Sequence, residues 1–142
     1  MANPSDDELR KIYAETKTIA VVGASNDESK DANSVPRYLQ GQGFRIVPVN
    51  PRGGEILGER AFASLADVDI PVDVVDVFRP SEETPGIARD AVAIGAKVLW
   101  LQVGIESEEA EAIAQQGGLK IVMNMCMRVT HRRLGLGPGP DG

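Results

Sequence analysis

A short apolar run that ends in small residues is the first feature of this sequence able to carry chemistry. Thr18–Val22 is rich in β-branched residues, as expected of a strand covered on both faces of a parallel sheet. Gly23, Ala24 and Ser25 follow it directly, before a polar loop and a second amphipathic segment. Where a strand ends in small residues and leads into a helix, backbone N–H groups can reach a phosphate. The pattern predicts either a phosphate contact at these three residues or a simple tight turn.

The ends of the other predicted strands carry the remaining candidate residues. In an open α/β sheet the ligand crevice lies outside the carboxyl ends of the strands, so the residues after each strand define the candidate site. These segments are Asn50-Pro51-Arg52, Phe78-Arg79-Pro80, Gln102-Val103-Gly104-Ile105 and Asn124-Met125-Cys126. They contain two arginines and no carboxylate. We therefore expect the crevice of this acidic protein to bind an anion.

The NAD fingerprint is incomplete in this sequence. That fingerprint requires three glycines after the first strand, and an acidic residue after the second strand to hold the ribose hydroxyls. Ser25 stands where the second glycine is needed, no third glycine follows at the required spacing, and Asn50 replaces the acid. Arg52 could instead contact a ribose phosphate. These departures favour a nucleotide with an extra phosphate over NAD.

Cysteine and histidine each occur once, as Cys126 and His131. One cysteine permits no internal disulfide and cannot by itself form a zinc site, so no metal is expected. Cys126 follows a predicted buried strand and is either a small core residue or a thiol that can form a mixed disulfide. His131 lies beside Arg132 and Arg133, without a nucleophile or acid in register. We expect it to be exposed, and we expect no catalytic residue.

Strands and helices that alternate along the chain would bring these segments to one edge. Apolar runs predict the strands, while capping residues and glycines delimit the helices. The predicted strands are Thr18–Val22, Phe44–Val49, Val72–Phe78, Lys97–Leu101 and Lys120–Met123, and helices are predicted to begin near Ser5, Ser34, Ser81 and Ser107. The alternation predicts an α/β, Rossmann-like, doubly wound and mostly parallel five-stranded sheet flanked by helices. The third strand alternates in part, so either one side of it is less buried or Asp73 and Asp76 lie near the rim of the sheet.

Length and composition limit the number of domains and the kinds of partner that this protein can have. A chain of 142 residues predicts one domain, which we place at residues 1–134, followed by a disordered Gly- and Pro-rich tail at 135–142. The net charge of −6 disfavours nucleic acid and anionic membranes as partners. The start of the chain is acidic and no apolar run of about 18 residues occurs. We expect a cytoplasmic monomer or small homo-oligomer with a small-molecule ligand.

Several stretches, in their order and spacing, resemble the small bacterial and archaeal CoA-binding domain proteins. These are single Rossmann-like domains similar to the nucleotide-binding domain of the succinyl-CoA synthetase alpha subunit. The stretches are GAS (Gly23–Ser25), Ser34 with Tyr38-Leu39, VNP (Val49–Pro51), VDVF (Val75–Phe78), GAKVLWLQ (Gly95–Gln102) and Cys126. Together they span nearly the whole chain.

The resemblance implies that coenzyme A lies across the carboxyl ends of the strands. The residues it assigns are Gly23, Ala24 and Ser25 at the diphosphate, Asn50 and Pro51 at the adenosine, Arg52 or Arg37 near a phosphate, Phe78 and Arg79 beside the nucleotide, and Gln102, Gly104 and Ile105 along the pantetheine arm. In many relatives a proline or another short pattern follows the cysteine, whereas Met127 and Arg128 follow it here. No counterpart of the synthetase's second domain is seen, so ligase activity is not expected.

Three functions stay open at this point. The first is non-catalytic binding of coenzyme A or an acyl-CoA. The second is an NAD(P)-binding oxidoreductase of minimal size, for which no Tyr-x-x-x-Lys pair is found. The third is a CoA-linked thiol redox sensor that uses Cys126. The sequence specifies neither the acyl group nor a protein partner.

Overall fold

A five-stranded parallel sheet forms the centre of the computed structural model, which describes residues 3–138. The elements are α1 (Asp6–Glu15), β1 (Thr18–Val22), α2 (Asp31–Gly41), β2 (Arg45–Val49), β3 (Glu55–Ile56), β4 (Glu59–Arg60), β5 (Val74–Val77), α3 (Thr84–Ala93), β6 (Val98–Leu101), α4 (Glu108–Gln116), β7 (Lys120–Val122) and α5 (Met127–Arg133). The sheet order is β2–β1–β5–β6–β7, and all four pairings are parallel. The predicted α/β fold is confirmed.

Helices cover both faces of this sheet, as predicted for a doubly wound fold. On one face α1, α2 and α5 pack through residues such as Leu9, Leu39 and Met127. On the other face α3 and α4 pack through Ala88 and Ala110. Because both faces are covered, β6 is buried at every position and reads as a continuous apolar run. None of the helices in the described part of the chain has the length and apolar character that a membrane span needs.

The predicted start of α1 is confirmed in detail. The Ser5 hydroxyl oxygen accepts a hydrogen bond from the Glu8 N–H at 3.2 Å, and the Glu8 carboxylate accepts from the Ser5 N–H at 3.4 Å. This reciprocal pair is a capping box, which satisfies two of the N–H groups that a helix leaves free at its start. Further along α1, the Tyr13 hydroxyl donates to the Met127 carbonyl at 2.7 Å and so ties α1 to α5.

α2 begins at Asp31, before the predicted Ser34, so Pro36 lies inside the helix. Proline has no N–H to donate to the carbonyl four residues earlier, which is that of Ala32. The Ser25 N–H donates to this carbonyl instead, at 3.3 Å. The proline is therefore accommodated by a contact that fixes the loop after β1 to the helix.

Two short features border the edges of the sheet. β3 and β4 form a hairpin through Leu57 and Gly58, both at positive φ. At the opposite edge, the Asn3 side chain donates to the Met123 carbonyl and accepts from the Met123 N–H, each at 2.8 Å. The side-chain amide of Asn3 thus occupies both backbone groups of Met123 just beyond β7.

The segment after β7 departs most from expectation. α5 was not predicted, and the prediction of an exposed His131 is wrong, because this side chain is 1% exposed. The Tyr38 hydroxyl lies 2.7 Å from His131 Nδ1. In the predicted tail, Leu136 packs against the core, while 139–142 lie outside the described residues.

The two aspartates expected near the rim have different positions. Asp73 lies at the amino edge, where its carboxylate accepts from the N–H groups of Lys17 and Thr18 at 2.9 and 3.0 Å. These bonds and Lys97 hold the Asp73 pKa below its usual range, although partial burial opposes them. Asp76 is fully buried inside β5, so the rim prediction is wrong for this residue.

Candidate functional site

The loops that leave β1 and β5 meet at Gly23. β1 lies between β2 and β5, so the chain connections diverge to opposite sides at this point, which is where open α/β sheets bind their ligands. Gly23 has φ +91°, and a Cβ atom on it would lie 3.0 Å from Arg79 Cδ and 3.1 Å from the Phe78 carbonyl oxygen. Glycine is therefore required both for the backbone conformation and for the close approach of the two loops.

Asn50 joins the end of β2 to the same place. Its side-chain amide donates to the Ala24 carbonyl at 2.9 Å, and its side-chain oxygen accepts from the Arg52 N–H at 2.9 Å. The side chain is therefore engaged in positioning the two loops, and Pro51 and Arg52 are left exposed beyond it. Arg52 has no acidic partner among the described residues, which leaves its guanidinium free for an anion.

The backbone of the Gly23 turn offers fewer donors than the sequence pattern predicts. The Gly23 N–H donates to the Val49 carbonyl at 3.0 Å, and the Ser25 N–H is taken by α2. Within residues 3–138 no partner is found for the Ala24 N–H. The Ser25 hydroxyl oxygen accepts from the Asp27 N–H at 3.0 Å, so its own proton can be donated outward. Ala24 is fully buried, so the donor that the turn can present to a phosphate is the Ser25 hydroxyl.

A residue missed by the sequence reading supports this turn. The Asn33 side-chain amide donates to the Ser25 carbonyl at 2.8 Å, and Asn33 is 3% exposed. A helix that began at Ser34 would leave Asn33 outside it, whereas the helix that begins at Asp31 buries Asn33 in its first turn.

The Arg79 guanidinium is already paired. Its Nε and one terminal nitrogen donate to the two Glu83 oxygens at 3.1 and 2.8 Å. This pairing raises the pKa of Arg79 and holds the pKa of Glu83 below its usual range. Both side chains are almost half exposed, and exposed ion pairs contribute little free energy. A phosphate can therefore replace Glu83 at small cost.

Arg37 stands apart from the strand ends. It lies on the exposed side of α2, 3.7 Å from the Glu28 carboxylate. No contact among the described residues connects it to the Gly23 turn.

The loops after β6 and β7 form a second part of the crevice. The Gly104 N–H donates to the Asn124 side-chain oxygen at 2.7 Å, and the Asn124 N–H donates to the Ile105 carbonyl at 3.2 Å. The Met125 N–H donates to the Leu101 carbonyl at 3.3 Å, which brings half-buried Cys126 to the same edge, directly before α5. The structure therefore brings Gly104, Ile105 and Cys126 to neighbouring strand ends, as predicted.

Gln102 connects this part of the crevice to the core. Its side-chain amide donates to Asp76 Oδ1 at 2.5 Å, and it is itself buried. Burial raises the pKa of Asp76 to about 7, against the opposing effect of hydrogen bonds from Gln102 and the Val77 N–H. An aspartate between valines of one strand is unusual, but its partner lies on another strand and leaves no mark in the local sequence.

Cavities also occur at the amino edge of the sheet. Two of them, with volumes of about 270 and 460 Å³, border Asp73 and Lys97. The Asp73 carboxylate is satisfied by two N–H groups and by Lys97, so this edge has less free polar chemistry than the carboxyl edge. Within residues 3–138, no cluster of three or more His, Cys, Asp or Glu side chains could hold a metal.

The sheet order and the Gly23 turn define a Rossmann-like domain whose crevice lies at the carboxyl edge of its strands. Within that class, the chain belongs to the CoA binding domain family, whose model matches residues 17–132. This stretch contains every candidate residue from Gly23 to Cys126. The family expected from the sequence is confirmed.

Some relatives of this chain are about as long as the chain itself, and others are several times longer. The chain is 40% identical over 131 residues to the uncharacterized protein YneT of Bacillus subtilis, and covers 97% of that protein. A solved structure from Thermus thermophilus has a TM-score of 0.88 and 44% identity, and the match covers 92% of this chain and 99% of that one. The alpha subunit of the ADP-forming acetate–CoA ligase II of Pyrococcus furiosus is 30% identical over 129 residues. The match covers 82% of this chain but only 28% of the ligase subunit.

Proposed function

We propose that this protein binds coenzyme A or an acyl-CoA at the carboxyl edge of its sheet and performs no chemistry on it. The observation that carries the proposal is the family match over residues 17–132, which includes all the strand ends that meet at Gly23. Coenzyme A is an anionic nucleotide with a 3′-phosphate, which suits a crevice edge with free or readily freed arginines. Location and oligomeric state stay predictions.

In this proposal the parts of the crevice take different parts of the ligand. The Ser25 hydroxyl meets the diphosphate, which the turn at Gly23 and Ala24 lets approach closely, and Arg79 exchanges Glu83 for a phosphate oxygen. The residues at the adenosine end are Asn50, Pro51 and Phe78, with Arg52 or Arg37 at the 3′-phosphate. Gln102, Gly104 and Ile105 border the pantetheine arm.

The binding role without catalysis is supported by the state of the side chains that usually transfer protons. His131 is buried, its Nδ1 is bonded to Tyr38, and burial lowers its pKa. The Tyr13 hydroxyl is bonded to a carbonyl, and burial raises its pKa far above its usual range. Both side chains are thus already hydrogen-bonded within the core.

Isothermal titration with coenzyme A, dephospho-CoA, NAD and NADP tests the proposal. We expect coenzyme A to bind more tightly than dephospho-CoA, because an arginine contacts the 3′-phosphate, and both to bind more tightly than NAD. Absence of coenzyme A binding would overturn the proposal. Preferred binding of NADP would support the oxidoreductase alternative instead.

A pair of glycine substitutions locates the site. Gly23→Ala places a Cβ against Phe78 and Arg79 and is expected to weaken coenzyme A binding at least tenfold. Gly86→Ala adds the same atom on α3, where nothing lies within 4 Å, and should leave binding unchanged. Equal affinities of the two variants would place the ligand elsewhere.

A thiol redox sensor is the second candidate, favoured by the position of Cys126 at the same crevice edge. Diamide accepts two electrons and two protons as the Cys126 thiol and the thiol of coenzyme A join in a disulfide. Mass spectrometry of the treated protein, with Cys126→Ala as control, reads out the adduct. An adduct that persists in the variant would exclude Cys126.

A further inference from the structure

A buried acid with an incomplete set of partners lies below the crevice. Asp76 is fully buried, and its Oδ1 accepts a hydrogen bond from Gln102. Its Oδ2 is also buried, and no partner for it is found among the described residues. Buried polar atoms are almost always hydrogen-bonded, so an exception of this kind is a candidate contact for a ligand.

The sheet register places this carboxyl one layer from the ligand crevice. Asp76 pairs with Val21 of β1 and Trp100 of β6 on the face covered by α1, α2 and α5. Side chains alternate along a strand, so the next layer on this face belongs to Gly23, Phe78 and Gln102. Gly23 supplies no side chain to that layer, and Gln102 turns its amide onto Asp76. The carboxyl therefore lies one layer below the residues at the carboxyl edge of the sheet, under a position that has no side chain.

The groups packed around Asp76 leave it without a counter-charge. Tyr13 faces it from α1, Tyr38 and His131 lie in the same layer of helices, and Cys126 precedes α5. The nearby Arg133 is paired with Asp6 at 3.0 Å. With a pKa of about 7, raised by burial, Asp76 is largely protonated below neutral pH. A protonated carboxyl is a hydrogen-bond donor.

We propose that Asp76, oriented by Gln102, binds the pantetheine arm of coenzyme A by donating a hydrogen bond from Oδ2 to an amide or thioester carbonyl. The inference rests on the proposed function and deepens it. A neutral acid suits a carbonyl, whereas an ionised one would repel the diphosphate. The arm is thereby assigned to the β5–β6 part of the crevice, and the diphosphate to the Gly23 turn.

Two ligands and two substitutions test the contact by isothermal titration at pH 6 and pH 8. Coenzyme A contains the pantetheine arm, and adenosine 3′,5′-bisphosphate lacks it. We expect the parent to bind coenzyme A about fivefold less tightly at pH 8 than at pH 6. Asp76→Asn keeps a donor at both pH values and should lose this dependence. Asp76→Leu lacks the donor and should bind coenzyme A about fivefold more weakly at pH 6.

Adenosine 3′,5′-bisphosphate is expected to bind all three proteins alike, with a pH dependence that none of the substitutions alters. Asp73→Asn makes the same chemical change at the opposite edge of the sheet and should leave coenzyme A binding unchanged. Circular dichroism confirms that each variant is folded. If Asp76→Leu does not fold, the comparison of Asp76→Asn with the parent at the two pH values decides the question.

The outcomes separate the two proposals. If the parent binds no coenzyme A, the proposed function fails and this contact with it. If the parent binds coenzyme A but both Asp76 variants keep its affinity and pH profile, only the contact is overturned. The contact is also overturned if Asp76→Leu weakens both ligands equally, because Asp76 then acts through the fold.

Discussion

The two faces of the sheet are built from different chemistry. The face under α3 and α4 buries alanine, valine, leucine and isoleucine, such as Ala91 and Leu101. The face under α1, α2 and α5 buries the aromatic rings of Tyr13, Phe44 and Trp100, together with Asp76. Both faces exclude water from the same five strands. They differ in the kind of contact they make, because the aromatic face also makes hydrogen bonds and ring contacts that depend on direction.

Directional contacts on the aromatic face fix α5. The Tyr13 ring lies edge-on at 5.6 Å from Trp100 and 5.4 Å from His131. Trp100 Nε1 donates to the Met125 carbonyl at 2.8 Å. Aliphatic packing can accept small displacements, whereas these hydrogen bonds and ring contacts hold α5 in one position. The comparison indicates that one face supplies stability and the other also positions the crevice.

Trp100→Ala should give the largest effect. It removes a fully buried side chain and leaves the Met125 carbonyl without its donor, so we expect a loss of roughly 3–5 kcal/mol in the free energy of unfolding. Leu99→Ala, on the aliphatic face, should cost roughly 2–5 kcal/mol. Urea unfolding measures both. Hydrogen exchange should show faster exchange of α5 in the first variant only, and equal exchange would contradict the proposed difference between the faces.

Asp76→Asn should change how stability depends on pH. The pKa of Asp76 is about 7 in the folded protein and near 3.8 in the unfolded chain, so the folded state retains the proton to higher pH. Its contribution is fully present below about pH 4 and is lost as pH rises to 7, by at most about 4 kcal/mol. The variant should lack this decline. Urea unfolding from pH 4.5 to 7.5 measures it, and parallel curves would refute the prediction.

Tyr38→Phe should have an intermediate effect. It leaves the buried Nδ1 of His131 without its hydrogen-bond partner and should cost roughly 1–3 kcal/mol at pH 8. Thermal unfolding followed by circular dichroism provides the measurement. A variant as stable as the parent would indicate that His131 finds another partner.

Ile121→Val should have the smallest effect. It removes one methyl group from β7 on the aliphatic face and should cost about 1 kcal/mol, equally at pH 5 and pH 8. A pH-dependent loss would show that titrating groups also act on this face, and the contrast between the faces would weaken.

The predictable part of this molecule is the part governed by local patterns. β1 and the capping box at Ser5 follow from apolar runs and capping residues, and each is found where it was expected. α5 was missed because its buried positions include Thr130 and His131, which an apolar pattern does not reveal. Their burial depends on partners distant in sequence, such as Tyr38.

The candidate site also contains features that the local sequence predicts and features that depend on residues distant in sequence. The strand ends could be predicted because the topology places them at one edge of the sheet. The need for a glycine at position 23 depends on its contacts with Phe78 and Arg79. The Asp76–Gln102 pair joins two strands and has no local signature. Pro36 likewise decides which N–H groups of the Gly23 turn are free. It cannot donate to the Ala32 carbonyl, which therefore accepts a hydrogen bond from the Ser25 N–H.

The amide of Asn3 has a consequence for how this protein is handled. Because it occupies the backbone groups of Met123, it shields the end of an outer strand that would otherwise be open to pairing with a neighbouring molecule. Trimming the amino terminus past Asn3 for crystallisation would uncover the end of that strand. A preparation trimmed in this way would be prone to self-association.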